Sequence, residues 1–192
     1  MNVQHLIGPV SAGLALAALL SGCSSSHGID VGTSGDTSAV RVGALHTAAQ
    51  CLRAHGVPNF ADPVLGADGQ VFTDARPLED APRGVLEAAM NGCERELRSA
   101  FWNPQTQPPA PASLIAAGVR AARCLRQNGL PDMHDPTASS SYTPGHGFGL
   151  TADELPPGAD KRSPVVQQAF HSCRAELDAE ITASRLDNLS GR

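Results

Sequence analysis

Aromatic residues are scarce in this 192-residue chain: one Trp, one Tyr and five Phe, 4% in all. Alanine supplies much of the 41% hydrophobic fraction, so a core built here is thin and made of small side chains. Clustered positive charge is missing too. The net charge of −5 is spread along the chain without a block, which excludes a nucleic-acid binder. Lys161 is the sole lysine against many arginines, a bias that reads as GC-rich coding rather than as function. Catalytic and metal signatures are absent as well. There is no C-x-x-C pair, no H-E-x-x-H and no G-x-S-x-G elbow. His46, His55, His134, His146 and His171 stand at no ligand spacing. His134-Asp135 precedes Ser139, Ser140 and Ser141, but nothing frames those serines as nucleophiles. "GHGFG" (Gly145–Gly149) follows no strand–helix pattern and reads as a turn rather than a phosphate loop. The sequence therefore names no catalytic residue, no metal ligand and no cofactor, and the expected activity is non-enzymatic.

What is present begins at the N-terminus. "LIGPVSAGLALAALLSGC" is an apolar run too short for a comfortable membrane span, ending in small residues and Cys23. Leu20-Ser21-Gly22-Cys23 resembles the lipobox of bacterial lipoproteins. That resemblance implies lipid on the Cys23 thiol and cleavage just before it. Residues 1–10 depart from the pattern, since they hold no Lys or Arg. A diacylglycerol carries two acyl chains, enough for stable anchoring. Residues 1–22 are expected to be a signal peptide and residues 23–37, rich in Ser and Gly, a flexible tether.

A phrase is then written twice. "CLRAHGVPNFADP" (Cys51–Pro63) returns as "CLRQNGLPDMHDP" (Cys124–Pro136), sharing Cys, Leu, Arg, Gly, Pro, Asp and Pro in register. Each phrase closes an amphipathic helix. Val40, Ala44, Ala48, Cys51 and Leu52 form the first stripe, and Leu114, Ala117, Ala121, Cys124 and Leu125 the second. Thr37 or Ser38 caps the first and Ser113 the second. Gly56 with Pro58, and Gly129 with Pro131, end them. Each copy closes with another helix. Leu86, Met90, Cys93, Leu97 and Phe101 lie on one face of the first; Val166, Phe170, Cys173, Leu177 and Ile181 match them one for one. Ser163-Pro164 marks the start of the last helix.

With Cys23 set aside, four cysteines remain, an even number that implies disulfides in an exported protein. They allow three pairings. The repeat selects Cys51–Cys93 and Cys124–Cys173, one bridge per copy, although symmetry alone does not exclude crossed pairs. Loops this long give roughly 4 kcal/mol per bridge in the chain-entropy view. The expected fold is mainly α: two disulfide-stapled helix–long loop–helix units, 38–102 and 113–192, joined by the proline-rich linker 103–112. Asp68-Gly69 allows a short β-hairpin in the first long loop, and "GFGLTAD" offers a counterpart in the second. Residues 137–147 read as mobile.

The charged members of the phrase are Arg53 and Asp62, with their twins Arg126 and Asp135. They read either as local anchors of the loop to its helix or as two symmetry-related ligand contacts. Lipobox and phrase together resemble a group of actinobacterial lipoproteins of unknown function carrying C-x-R-x-x-G-V-P-x-F-x-D-P. The second copy departs from it at Leu130, Asp132 and Met133. The resemblance implies an envelope location, anchored to the outer face of the cytoplasmic membrane, and no catalytic residue. The expected function is a non-catalytic interaction or accessory module acting on another envelope protein. The alternative is a lipoprotein that binds a small molecule or metal, which needs a pocket with convergent polar groups.

Overall fold

The computed structural model describes residues 34–191, all of which belong to one compact unit. Cys23, the lipobox and most of the tether lie outside the described residues. The chain is mainly helical, in the order α1 (Ser34–Ala54), β1 (Val64–Leu65), β2 (Val71–Phe72), α2 (Arg76–Glu79), α3 (Arg83–Gly92), α4 (Glu94–Ser99), α5 (Ala112–Gln127), a 3-10 turn (Ala152–Glu154), α6 (Pro164–Ser172), α7 (Arg174–Ala183) and α8 (Leu186–Leu189). Among the described residues no helix is long and apolar enough to cross a membrane.

Both opening helices end in the same way. Gly56 and Gly129 take φ of +101° and +107°, a left-handed conformation that glycine adopts without Cβ strain. The Val57 N–H then donates to the Leu52 carbonyl and the Leu130 N–H to the Leu125 carbonyl, each at 3.1 Å. This bond, reaching back five residues, is the hallmark of a glycine-terminated helix. Starts are less legible. α1 begins at Ser34, before the expected Thr37 or Ser38. α5 begins at Ala112 after Pro111, so Ser113 lies inside it. Ser163 does precede α6, but its hydroxyl bonds Asp160 rather than the helix.

The two bridges are Cys51–Cys93 and Cys124–Cys173, both with Cα atoms 5.8 Å apart, closing separations of 42 and 49 residues. Cys93 and Cys173 are fully buried, and their partners are half-buried. The closing helices are not continuous, as the stripe suggests. Each breaks at its bridged cysteine, where φ is −104°, giving α3–α4 and α6–α7. Gly92 and Ser172 immediately precede the two breaks, a residue type common at helix kinks. The other stripe residues are buried or half-buried, with two exceptions: Val40 and Phe101 are exposed. Phe101 sits at φ +49°, and the Trp102 N–H donates to the Leu97 carbonyl behind it. A phenylalanine thus occupies the left-handed position that glycine fills elsewhere, turning its ring outward and Trp102 inward.

Copy 1 packs around Leu45, Leu52, Phe60, Leu78 and Trp102, with the Phe60 and Trp102 ring centroids 5.9 Å apart. Its hairpin pairs Val64 with Phe72 and Leu65 with Val71. Copy 2 packs around Leu125, Leu130, Met133 and Val166. A third cluster, with Phe72, Leu114, Tyr142 and Leu189, joins the copies. The linker is part of this packing, since Pro104 and Ala110 are buried. The second loop has no paired strands, only a Thr143–Gly147 bridge. Residues 137–147 are nevertheless tied down. Ala110 N–H donates to the Ala138 carbonyl, the Tyr142 hydroxyl to the Pro108 carbonyl and Gly145 N–H to the Ser184 carbonyl. The expectation of mobility missed these partners because they lie in the linker and in α7–α8, far off in sequence.

Candidate functional site: a pocket in the second copy

The residues of the repeated phrase form two local anchors. Arg53 donates to the Phe60 carbonyl at 2.9 Å and to Asp62 Oδ1 at 2.7 Å. Arg126 donates to the Met133 carbonyl at 2.7 Å and to Asp135 Oδ1 at 2.8 Å. Each arginine therefore holds the start of its own long loop against its own helix. In copy 1 His46 adds a second contact to Asp62 at 2.6 Å. Burial pushes the Asp62 carboxyl up, but the Arg53 and His46 contacts outweigh it and hold it below its ordinary value. In copy 2 the place of His46 is taken by Val119.

His55 and Asn128 are twins of different chemistry in one role. His55 Nδ1 lies 2.9 Å from the Cys51 carbonyl and Asn128 Nδ2 donates to the Cys124 carbonyl at 2.9 Å. Both also lie about as close to the bridge sulfurs, His55 at 3.5 Å from each and Asn128 at 3.6 and 3.5 Å. Cys51, His55 and Cys93 have their ligand-type atoms within 4.8 Å of one another. Both sulfurs are spent in the disulfide, so this trio closes a helix end rather than offering thiolates.

The copies differ most at their closing helices. In copy 2 the face bearing Phe170, Arg174, Leu177, Asp178 and Ile181 lines a pocket of about 670 Å³. That volume lies within the range of drug-sized ligand sites. In copy 1 the matching face, Met90, Glu94, Leu97, Arg98 and Phe101, lines an open groove of about 690 Å³ with Trp102. The second long loop accounts for the difference, since His134–Pro136, His146 and Phe148–Glu154 wall the copy-2 pocket from the other side.

Three residues build that wall. Gly118 stands where copy 1 has the fully buried Leu45. A Cβ there would lie 2.6 Å from the Phe148 ring and 2.7 Å from Pro136, so glycine lets the loop close onto α5. Phe148 in turn meets Tyr142 edge-on at 6.2 Å. Glu154 is only 7% exposed and acts as a staple. It accepts from the His134 N–H at 3.0 Å, the Thr151 N–H at 2.9 Å and the Thr151 hydroxyl at 2.8 Å. Burial raises its pKa, but these donors outweigh burial and hold it below the ordinary value.

Glu180 is the opposite case. It is 8% exposed and stands where copy 1 has the fully buried Ala100. Oε1 accepts from the Phe148 N–H at 2.7 Å. Among the described residues no cation pairs with it. Burial pushes the carboxyl above its ordinary value, and the single N–H offsets only part of that. Protonated, Glu180 offers a hydrogen-bond donor to the pocket; ionised, it offers an unpaired negative charge. The pocket hydroxyls Ser140, Ser141 and Thr151 bond no histidine, so no nucleophile–base pair is assembled there.

No protein-family model, no curated protein and no solved structure matches the chain. Of the four charged residues of the phrase, only Asp135 lines the pocket, while His134, Ser140, Ser141 and His146, which the sequence offers without a catalytic or ligand pattern, line it as well. Gly118, Phe148, Glu154 and Glu180 were not singled out in the sequence. A signal for two of them was there: Gly118 and Glu180 break the repeat at positions that lie on core faces of the helices.

Proposed function

We propose that this chain is an exported, lipid-anchored and non-catalytic binding protein of the cell envelope whose second copy holds a small, largely apolar molecule. The observation that carries this reading is the copy-2 pocket, where an apolar floor of Ala122, Leu125, Met133, Phe170 and Leu177 surrounds a few fixed polar groups. The lipobox supports the anchoring half of the proposal, with Cys23 as the lipid carrier. The reading predicts saturable, one-to-one binding of the neutral apolar fluorophore N-phenyl-1-naphthylamine by the purified mature protein. Ile181→Trp, which fills the pocket from its half-buried edge, removes that binding while leaving the unfolding midpoint within a few degrees. Absence of saturable binding, or unchanged binding in the filled variant, defeats the proposal.

A second reading, docking of another envelope protein, is favoured by Phe101. This ring is 86% exposed beside the copy-1 groove and held at a positive φ that non-glycine residues rarely adopt. Strain of this kind costs about 1 kcal/mol or more and tends to persist where function needs it. Crosslinking in intact cells tests it: a single envelope protein captured by the native chain and lost with Phe101→Ala supports docking at this face.

A further inference from the structure

We propose that the copy-2 pocket selects ligands that carry a protonated amine on an apolar body, with Glu180 as the anchor for the cation. This inference rests on the pocket reading above and adds the chemistry of its occupant.

The argument starts from a residue that ought not to be there. Glu180 occupies a position that its twin, Ala100, fills without any polar atom. A carboxylate that is nine-tenths buried is unfavourable unless something pairs with it. The protein supplies one neutral donor, the Phe148 N–H, to one of the two oxygens. Glu154, in the same pocket, shows what full satisfaction looks like here, with three donors divided over both oxygens. Glu180 is left one partner short, and it faces the cavity.

The backbone is shaped around that carboxylate. Gly147 lies at φ +75°, and a Cβ on it would come within 2.2 Å of Glu180 Oε1. The Gly147 N–H is meanwhile drawn to the Ser184 hydroxyl at 3.0 Å, one turn further along α7. Loop and helix thus meet at the carboxylate through the one residue type that leaves room for it.

The surroundings favour positive charge. Asp153 and Glu154 also line the pocket. Its two permanent cations lie at the edge, and its lining histidines, His134 and His146, are exposed. Lys161 is exposed, and Arg174 is exposed and spent on Asp178 at 3.7 Å. An amine entering over the apolar floor therefore meets an unpaired carboxylate at depth. An acid of the same length meets repulsion, and an alcohol gains at most a neutral hydrogen bond. Charge-assisted hydrogen bonds are about twice as strong as neutral ones, and more so away from water.

The test uses the purified mature protein with N-phenyl-1-naphthylamine as reporter and three competitors of equal length: n-octylamine, n-octanol and octanoate. At neutral pH octylamine should displace the reporter at a concentration at least about tenfold below octanol, with octanoate weakest. Glu180→Gln keeps the acceptor for the Phe148 N–H and removes the charge. It should bring octylamine to within about threefold of octanol. Asp132→Asn, which removes an exposed carboxylate outside the pocket, should leave the amine preference standing. Equal displacement by amine and alcohol in the native protein, with the reporter bound normally, overturns the amine inference and leaves the pocket reading intact. An amine preference that survives Glu180→Gln also overturns it, since the anchor is then another group. Failure of the reporter to bind at all defeats the pocket reading itself, and this inference with it. Should Glu180→Gln fail to fold, Glu180→Ala, which copies the buried twin Ala100, carries the same comparison, and equal displacement by amine and alcohol in the native protein still overturns the inference.

Discussion

The two copies share their bridges, their glycine helix ends and their arginine anchors, yet the matching face is an open groove in one and a pocket walled by the long loop in the other. Copy 1 places Leu45 on its opening helix, Phe60 at the loop start and Ala100 on its closing helix, all buried. Copy 2 places Gly118, Met133 and Glu180 at those points. Trp102 completes the first core through its tilted contact with the Phe60 ring. In the second, the long loop supplies Phe148 and Tyr142 instead and leaves a cavity beneath. The comparison teaches that a repeated frame can be held fixed while a few core positions and the long loop decide whether its closing face stays an open groove or becomes a walled pocket. In both copies the residues that recur hold the frame, and in copy 2 the residues that differ make the pocket.

The bridges offer the hardest way to break this comparison. Removing Cys51–Cys93 or Cys124–Cys173 by paired Cys→Ala changes should cost roughly 4 kcal/mol in the loop-entropy view. Copy 2 should suffer more, because its hollow core has fewer apolar contacts to fall back on. Denaturant unfolding of both double variants checks this. Equal losses remove the asymmetry between the copies, and losses near zero show that packing rather than crosslinking holds the units.

Exchanging the twin residues sharpens the contrast at the next level. Leu45→Gly opens a void in the filled core and should cost about 3–4 kcal/mol. Gly118→Ala drives a Cβ to 2.6 Å from Phe148 and should cost about 1–3 kcal/mol by overpacking while loosening the pocket wall. The reporter dye separates the two, since only the second change should weaken its binding. If Gly118→Ala is silent in both stability and binding, the loop does not depend on α5 for its place.

Acid–base behaviour gives the smallest effect, with opposite signs in the two copies. Glu180 has a folded-state pKa above its ordinary value. Its contribution is fully present below the unfolded value of about 4.3 and is lost as pH rises through the folded value. Asp62 in copy 1 has a folded-state pKa below its ordinary value. Its contribution is present above the unfolded value of about 3.9 and is lost as pH falls through the folded one. Glu180→Gln should therefore remove a loss of stability on the alkaline side, and Asp62→Asn a loss on the acid side. Thermal unfolding across pH 3 to about pH 8 checks both; identical profiles for the two variants contradict the assignment.

Much of the frame could be read from the sequence because its signals are local or duplicated. Gly56 and Gly129 mark helix ends by their type and place. The bridges follow from alignment of two copies, and Asp68-Gly69 marks the hairpin. The breaks at Cys93 and Cys173 escaped notice because an apolar stripe continues through them, and periodicity does not register a single residue with altered φ. The packing of residues 137–147 escaped for another reason. Its hydrogen bonds run to Pro108, Ala110 and Ser184, and a segment of Ser, Thr, Pro and Gly looks unstructured until such partners are known. The pocket was hardest to foresee. Arg53, Asp62, Arg126 and Asp135 recur and so carry the repeat's signal, whereas Gly118 and Glu180 depart from the repeat.

The within-copy bridges also bear on how the chain acquires its covalent structure. They join consecutive cysteines, Cys51 with Cys93 and Cys124 with Cys173, so neither loop encloses a thiol belonging to the other. With the Cys23 thiol taken by lipid as proposed above, a chain that reaches an oxidising space N-terminus first presents the correct partner first on both occasions. Oxidation in order of emergence then yields the native connectivity directly, and reshuffling of mispaired bridges, a process of seconds to hours, is not required.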